Sequence, residues 1–155
     1  AIRYWKSIQK LMSRREDAIK FKMKKSAAFM MEAETLFESK FYNTLISRLY
    51  YSCFHATKAL LLTKDLVSKT HSGTVTLLNQ KFVKESNFNA EQAAFFQSLM
   101  KERVQSDYDD FIIIDEVQGI DFIEPSKKYV EYVFKLIDQY FDENPDHIDK
   151  PSLFP

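Results

Sequence analysis

Glycine and proline are scarce, 2 and 4 in a chain of 155 residues. That poverty argues against a glycine-rich phosphate loop, a dinucleotide fold or a many-turned β-sandwich. One cysteine, Cys53, excludes an intramolecular disulfide framework and a cysteine-based zinc site. The histidines are His55, His71 and His147, so a multi-histidine metal site would need nearly all of them, and neither a metal nor a cofactor is expected. No apolar run reaches the roughly 18 residues of a membrane span, and no signal peptide is visible. A soluble, cytoplasmic protein with no membrane association is expected.

Net charge is also missing: 22 Lys+Arg stand against 22 Asp+Glu. The balance is not local. Residues 1–25 carry nine basic and two acidic groups, residues 26–106 nine and seven, residues 107–155 four and thirteen. The chain therefore runs from strongly basic to strongly acidic, and zero net charge does not argue against a polyanionic partner.

What is abundant is apolar and aromatic: 45% hydrophobic residues, with 14 Phe and 8 Tyr. This is enough to fill a core, and the length suits one domain. The pattern predicts an all-α protein, an antiparallel bundle of four to five helices. A short leading helix or extension is expected over 1–13. Ser13 with Glu16 has capping-box spacing for a long helix over about 14–38. Its inward side is read from Ala18, Phe21, Ala28, Met31 and Phe37, and the small Ala27, Ala28 and Ala33 would admit a close neighbour. Residues 41–64 form a second helix, apolar on most of its circumference and hence central. A third opens at Thr70 or His71 and runs to about Lys84. A fourth runs from an Asn89 cap to about Tyr108. The β-branched run at 111–123 predicts a short extended or hairpin connection. Pro125 fits the first turn of a last helix ending near Phe141. The helical domain is placed at 14–143 and a loose tail at 144–155.

The polar residues of the second helix are the sharpest signal. Arg48 and His55 are seven apart, two turns, so they project from nearly one face with Cα atoms about 10 Å apart. Tyr51 and Ser52 lie between them, and Asn43 and Ser47 extend the strip. An arginine, a histidine and hydroxyls in an apolar helix are costly to bury without partners. They satisfy one another in the core or they line a site.

The run Ser47-Arg48-Leu49-Tyr50-Tyr51-Ser52-Cys53-Phe54-His55-Ala56, then Lys58-Ala59-Leu60-Leu61-Leu62, Lys69-Thr70-His71-Ser72-Gly73, Phe82-Val83-Lys84 and Arg103-Val104-Gln105-Ser106-Asp107-Tyr108, resembles a HEPN domain over roughly residues 15–141. The resemblance implies a helical bundle that forms a homodimer. Many such proteins are metal-independent ribonucleases, often toxins paired with a nucleotidyltransferase-like antitoxin. Their usual motif is Arg, four to six residues, then His. Arg48 and His55, with six between them, fit its long end and would be the catalytic pair, meeting a second copy across the dimer. In that chemistry the RNA 2′-hydroxyl attacks the adjacent phosphate, an imidazole moves protons and a guanidinium stabilises phosphoryl charge. The family also holds non-catalytic nucleotide-binding or protein-interaction modules, and that alternative stays open beside the nuclease.

Supporting positions each carry a second reading. Lys69 and the helix start beside it suit a phosphate; capping by Thr70 or Ser72 is the simpler role. His71 joins the site if its loop folds toward His55. Arg103 and Asp107 read as an i,i+4 ion pair with Tyr108 packed beside it, holding the shape of the site. Asp107, Asp109 and Asp110 read as a solvated acidic loop. Lys20, Lys22, Lys24 and Lys25 spread around their helix, facing solvent, RNA phosphates or the acidic C-terminal third. Cys53 is expected to be a buried small hydrophobe.

Overall fold

The computed structural model describes residues 2–109 and 111–144. Among these there are five α-helices and no strand: α1 (Ile2–Glu38), α2 (Tyr42–Leu62), α3 (His71–Leu78), α4 (Ala90–Tyr108) and α5 (Glu116–Glu143). α3 continues into a π-helical turn at Asn79–Val83. Among the described residues no helix is long and apolar enough to cross a membrane.

The central helix is α2, as its composition predicts. Twelve of its residues are buried, from Leu45 to Leu61, and every other helix packs on it. Burying an apolar circumference of this kind is the main stabilising term of a bundle. Its buried hydroxyls, those of Ser52 and Thr57, are satisfied internally. The hydroxyls of Thr57 and Tyr129 meet at 2.6 Å, tying α2 to α5. Cys53 is fully buried and its thiol is pushed far up by desolvation. Capping follows the sequence closely. Thr70 Oγ1 accepts from Gly73 N at 2.9 Å, and Asn89 Oδ1 accepts from the amides of Glu91 and Gln92.

Three expectations are corrected. First, α1 is continuous through Ser13, with no break at the predicted boundary. No Gly or Pro lies in its length to stop it. Glu16 is no capping residue. It is buried, and its Oε1 accepts from the Tyr140 hydroxyl at 2.9 Å. Second, the inward face of α1 is not the predicted one. Phe21 and Met31 are 58% and 65% exposed, and Ala28 is exposed too. The side turned to the bundle is Glu16, Ile19, Met23, Ser26, Met30, Ala33 and Phe37, spaced alternately by three and four residues.

Third, of the extended or hairpin connection expected over 111–123, the extended form is found, and it is shorter than expected. The chain is non-helical only to Asp115, where a capping box with Gln118 starts α5. Pro125 therefore lies inside α5 rather than in its first turn. The segment before it is held by Asn43, which donates to Ile112 O at 2.8 Å and accepts from Ile114 N at 2.9 Å. The expected tail from residue 145 onward, Asp110 and the side chains expected to line 3–12 from Tyr4 to Met12 lie outside the described residues.

Glu16 Oε2 is buried with no hydrogen-bond partner, so its carboxylate depends on Tyr140. Tyr140→Phe removes that bond and is expected to cost about 1–3 kcal/mol. Urea unfolding should show a lower midpoint with an unchanged slope; an unchanged midpoint would refute the role given to this bond.

Candidate functional site

The site lies along the exposed edge where α1 and α2 run antiparallel. Residues 18, 22, 25, 29 and 32 share one side of α1, and residues 48, 51, 55, 58 and 62 share one side of α2. Phe29 sits in the middle. The His55 ring stacks on it with centroids 5.5 Å apart and planes parallel within 1°, and the Tyr51 ring stacks on it at 5.5 Å. The Arg48 guanidinium lies 5.7 Å from the same centroid. One aromatic thus organises the arginine, the tyrosine and the histidine.

His55 is half-buried between Phe29 and Phe54. Its Nδ1 is buried and has no hydrogen-bond partner. Burial lowers its pKa to about 4, helped by the positive charges of Lys22, Lys25 and Lys58 and by His71. The ring is therefore neutral at pH 7. Arg48 is partly exposed, and its Nε is 3.4 Å from a Glu32 carboxylate oxygen.

The second histidine does fold toward the first. His71 Nδ1 is 2.5 Å from the Tyr50 hydroxyl, and its ring stacks on Phe54 at 4.5 Å. Phe54 therefore touches both histidines, stacked on His71 and edge-on to His55. Desolvation, Arg103 and Lys58 lower the His71 pKa. Tyr50 is pushed far above its ordinary pKa by burial, so its hydroxyl stays protonated. Arg103 donates to the Tyr51 hydroxyl at 2.8 Å and lies over the Tyr50 and Tyr51 rings. Its Nε is buried without a hydrogen bond, with Asp107 Oδ2 at the longer distance of 3.8 Å. His71 and Arg103 also border a depression of about 520 Å³ floored by Met100 and Val104.

Of the predicted residues, the structure brings together Arg48, Tyr51, His55, His71 and Arg103, with Asp107 at the margin. It does not bring in the others. Asn43 straps the segment before α5. Ser52 is buried against Ser26, its hydroxyl donating to Ser26 O at 2.8 Å. Lys69 is exposed beside the Thr70 cap, and Tyr108, expected to be packed, is 81% exposed. Sequence reasoning missed Phe29, Glu32, Tyr50, Phe54 and Lys58. The signal was present as the three-four spacing of 22, 25, 29 and 32, overlooked because a second stripe through Phe21 and Met31 is more apolar. Among the described residues no group of three His, Cys, Asp or Glu side chains is placed to hold a metal ion.

Comparison with known proteins gives the family. The HEPN domain family model matches residues 19–140. A Methanocaldococcus jannaschii protein named "Putative toxin MJ0142" is 30% identical over 136 residues, 83% of this chain and 85% of that protein. A Thermotoga maritima "UPF0332 protein" is 27% identical over 82% of this chain and 96% of its own. A second M. jannaschii protein, "Putative toxin MJ0605", is 47% identical over 53 residues, covering 34% of this chain and 40% of that one. The chain belongs to the HEPN domain family.

His55 gives the fold a pH dependence with a definite sign. Its folded pKa lies below the unfolded value of 6.5, so the folded state binds fewer protons between about pH 6.5 and 4. The contribution is complete above 6.5 and is lost as pH falls toward 4. The stability difference between the natural chain and His55→Gln should shrink over that window. A difference independent of pH from 7 to 4 would contradict the depressed titration.

Proposed function

We propose that this HEPN protein is an RNA-directed, metal-independent endoribonuclease of toxin type, with His55 and Arg48 as its catalytic residues. The observation that carries the reading is the pairing of a neutral, half-buried His55 with Arg48 on the single ring of Phe29. A neutral imidazole is the form that accepts a proton. The RNA 2′-hydroxyl gives its proton to His55 as its oxygen bonds to the adjacent phosphorus. The bond from phosphorus to the 5′-oxygen then breaks, the departing oxygen takes up a proton from water, and His55 returns its proton to solvent. The products are a 2′,3′-cyclic phosphate and a 5′-hydroxyl. Arg48 neutralises charge on the non-bridging oxygens. Arg103, fixed by Tyr51, supplies a second cation on the same side.

The toxin names of the two M. jannaschii relatives support a toxin–antitoxin setting, with a nucleotidyltransferase-like protein as antitoxin. A homodimer completes the site in this reading, and the exposed Phe21 and Met31 offer apolar surface beside it. An RNA substrate places the work in the cytoplasm. One observation favours the non-catalytic alternative, a nucleotide-binding or interaction module: Arg48 is already paired with Glu32.

Cleavage of RNA in EDTA decides between them. His55→Ala and Arg48→Ala should each lower kcat/KM by at least about 100-fold. The acid limb of kcat/KM, which reports the free enzyme, should fall near pH 4 rather than 6.5. Cleavage indifferent to His55→Ala would end the nuclease assignment.

A further inference from the structure

At one end of the α1/α2 groove Glu32 faces Arg48, an ordinary cross-helix pair. Following the same register toward the other end brings Lys22 opposite Lys58, where a second salt bridge would be expected. Like charges face each other there instead. Lys22 has its pKa lowered by burial, by Lys58 and by Lys25, so its ammonium group feels the other two. Among the described residues none of the three has an ion pair. Lys58 lies 5.3 Å from the Phe54 centroid and Lys25 5.5 Å from that of Phe21, contacts that hold the chains in place without neutralising them.

The same three lysines bear on His55. The charged groups that lower its pKa are these lysines and His71. Between Lys22 and Lys58 the surface opens into a groove of about 210 Å³ whose walls are Leu61, Leu62, Leu66 and Val67. Val67 is 71% exposed. Uncompensated cations and an apolar slot thus adjoin one another. An arrangement of this kind is unfavourable when empty and becomes favourable when an anion with a flat apolar appendage occupies it.

We propose that Lys22, Lys25 and Lys58 form a phosphodiester-binding subsite for single-stranded nucleic acid, holding the phosphate next to the one that reacts, with the attached base in the Leu62–Val67 groove. The nature of the ligand rests on the nuclease reading; the cationic cradle does not. Lys58 is one turn along α2 from His55, about 4.5 Å of helix rise, so the two sites address neighbouring stretches of one strand. A phosphate in the cradle also offsets the charges that lower the His55 pKa, so substrate binding makes the imidazole a stronger base.

A short oligothymidylate tests this, because without 2′-hydroxyls it cannot be cleaved by the proposed route. Binding is followed by fluorescence anisotropy at several salt concentrations, for the natural chain, Lys22→Gln, Lys58→Gln and a Lys135→Gln control on α5. Each groove variant should weaken binding about threefold or more and reduce the slope of log K against log salt by about 0.7. The control should do neither. The His55 imidazole resonance, titrated by NMR, should shift to higher pH when the oligonucleotide is bound, and less so in Lys58→Gln. Unchanged affinity and slope in both groove variants would overturn the subsite. Equal binding of thymidine monophosphate or of oligoglutamate would overturn its assignment to a nucleic-acid strand. Binding of this kind with no RNA cleavage would sink the nuclease and leave the subsite standing.

Discussion

The clamp between Ser26 and Ser52 fixes the rest. Ser26 Oγ donates to Ser52 O and Ser52 Oγ to Ser26 O, each at 2.8 Å, and both residues are fully buried. A reciprocal pair of this kind requires the two backbones to approach closely, which only small side chains permit. It also sets the register of α1 against α2, because each hydroxyl can reach only one carbonyl. From that register Phe29 falls beside Tyr51 and His55, Glu32 beside Arg48, and Lys22 beside Lys58. A slip of one turn would set Phe29 and the lysines against other partners on α2, although every one of those residues would keep its place in the sequence.

The surroundings of α2 turn this register into a site. Its buried side is committed to packing and admits only the small hydroxyls of Ser52 and Thr57, so Arg48 and His55 are left at the edges. His55 sits at such an edge, half desolvated, between two phenylalanine rings. α3 and α4 then close the far side with His71 on Tyr50 and Arg103 on Tyr51. Several local features there work against stability: an unpartnered imidazole nitrogen, an unpartnered guanidinium nitrogen, and facing lysines. Glu16 Oε2 and Ser126 Oγ are likewise orphaned elsewhere, so orphan atoms alone do not mark the site. The candidate site differs in combining orphans with uncompensated charge, and local rules are most often broken where function requires it.

The sequence was most legible where one helix carries the whole message. The α2 boundaries, the Thr70 and Asn89 caps and the Arg48–His55 pair all depend on residues within about two turns of each other. Legibility failed where polar residues occupy the inward seam. Glu16 and Ser26 interrupt the apolar repeat of α1, so Phe21 and Met31 drew the eye to the wrong side. It failed again at α5, because Phe111-Ile112-Ile113-Ile114 reads as strand while the Asp115–Gln118 box a few residues later starts a helix. Phe29 and Lys58 were hidden for a third reason. Their roles come from contacts across the α1/α2 register, which no spacing within a single helix reveals.

The two arginines of the site differ in what holds them, and the difference bears on how the zero net charge should be understood. Arg103 has a side chain only 15% exposed and is fixed by Tyr51 and two aromatic faces. It is a rigid cation. Arg48 is 39% exposed and its partner Glu32 54%. A pair that open to water is worth about 1 kcal/mol or less, so a phosphate oxygen can take the place of the carboxylate at small cost. The contact with Glu32 thus leaves Arg48 at Phe29 without locking it there. Charge in this molecule is balanced by loose pairs at one end of the groove and left unbalanced at the other. The surface that survives around His55 is basic, although the chain as a whole is neutral.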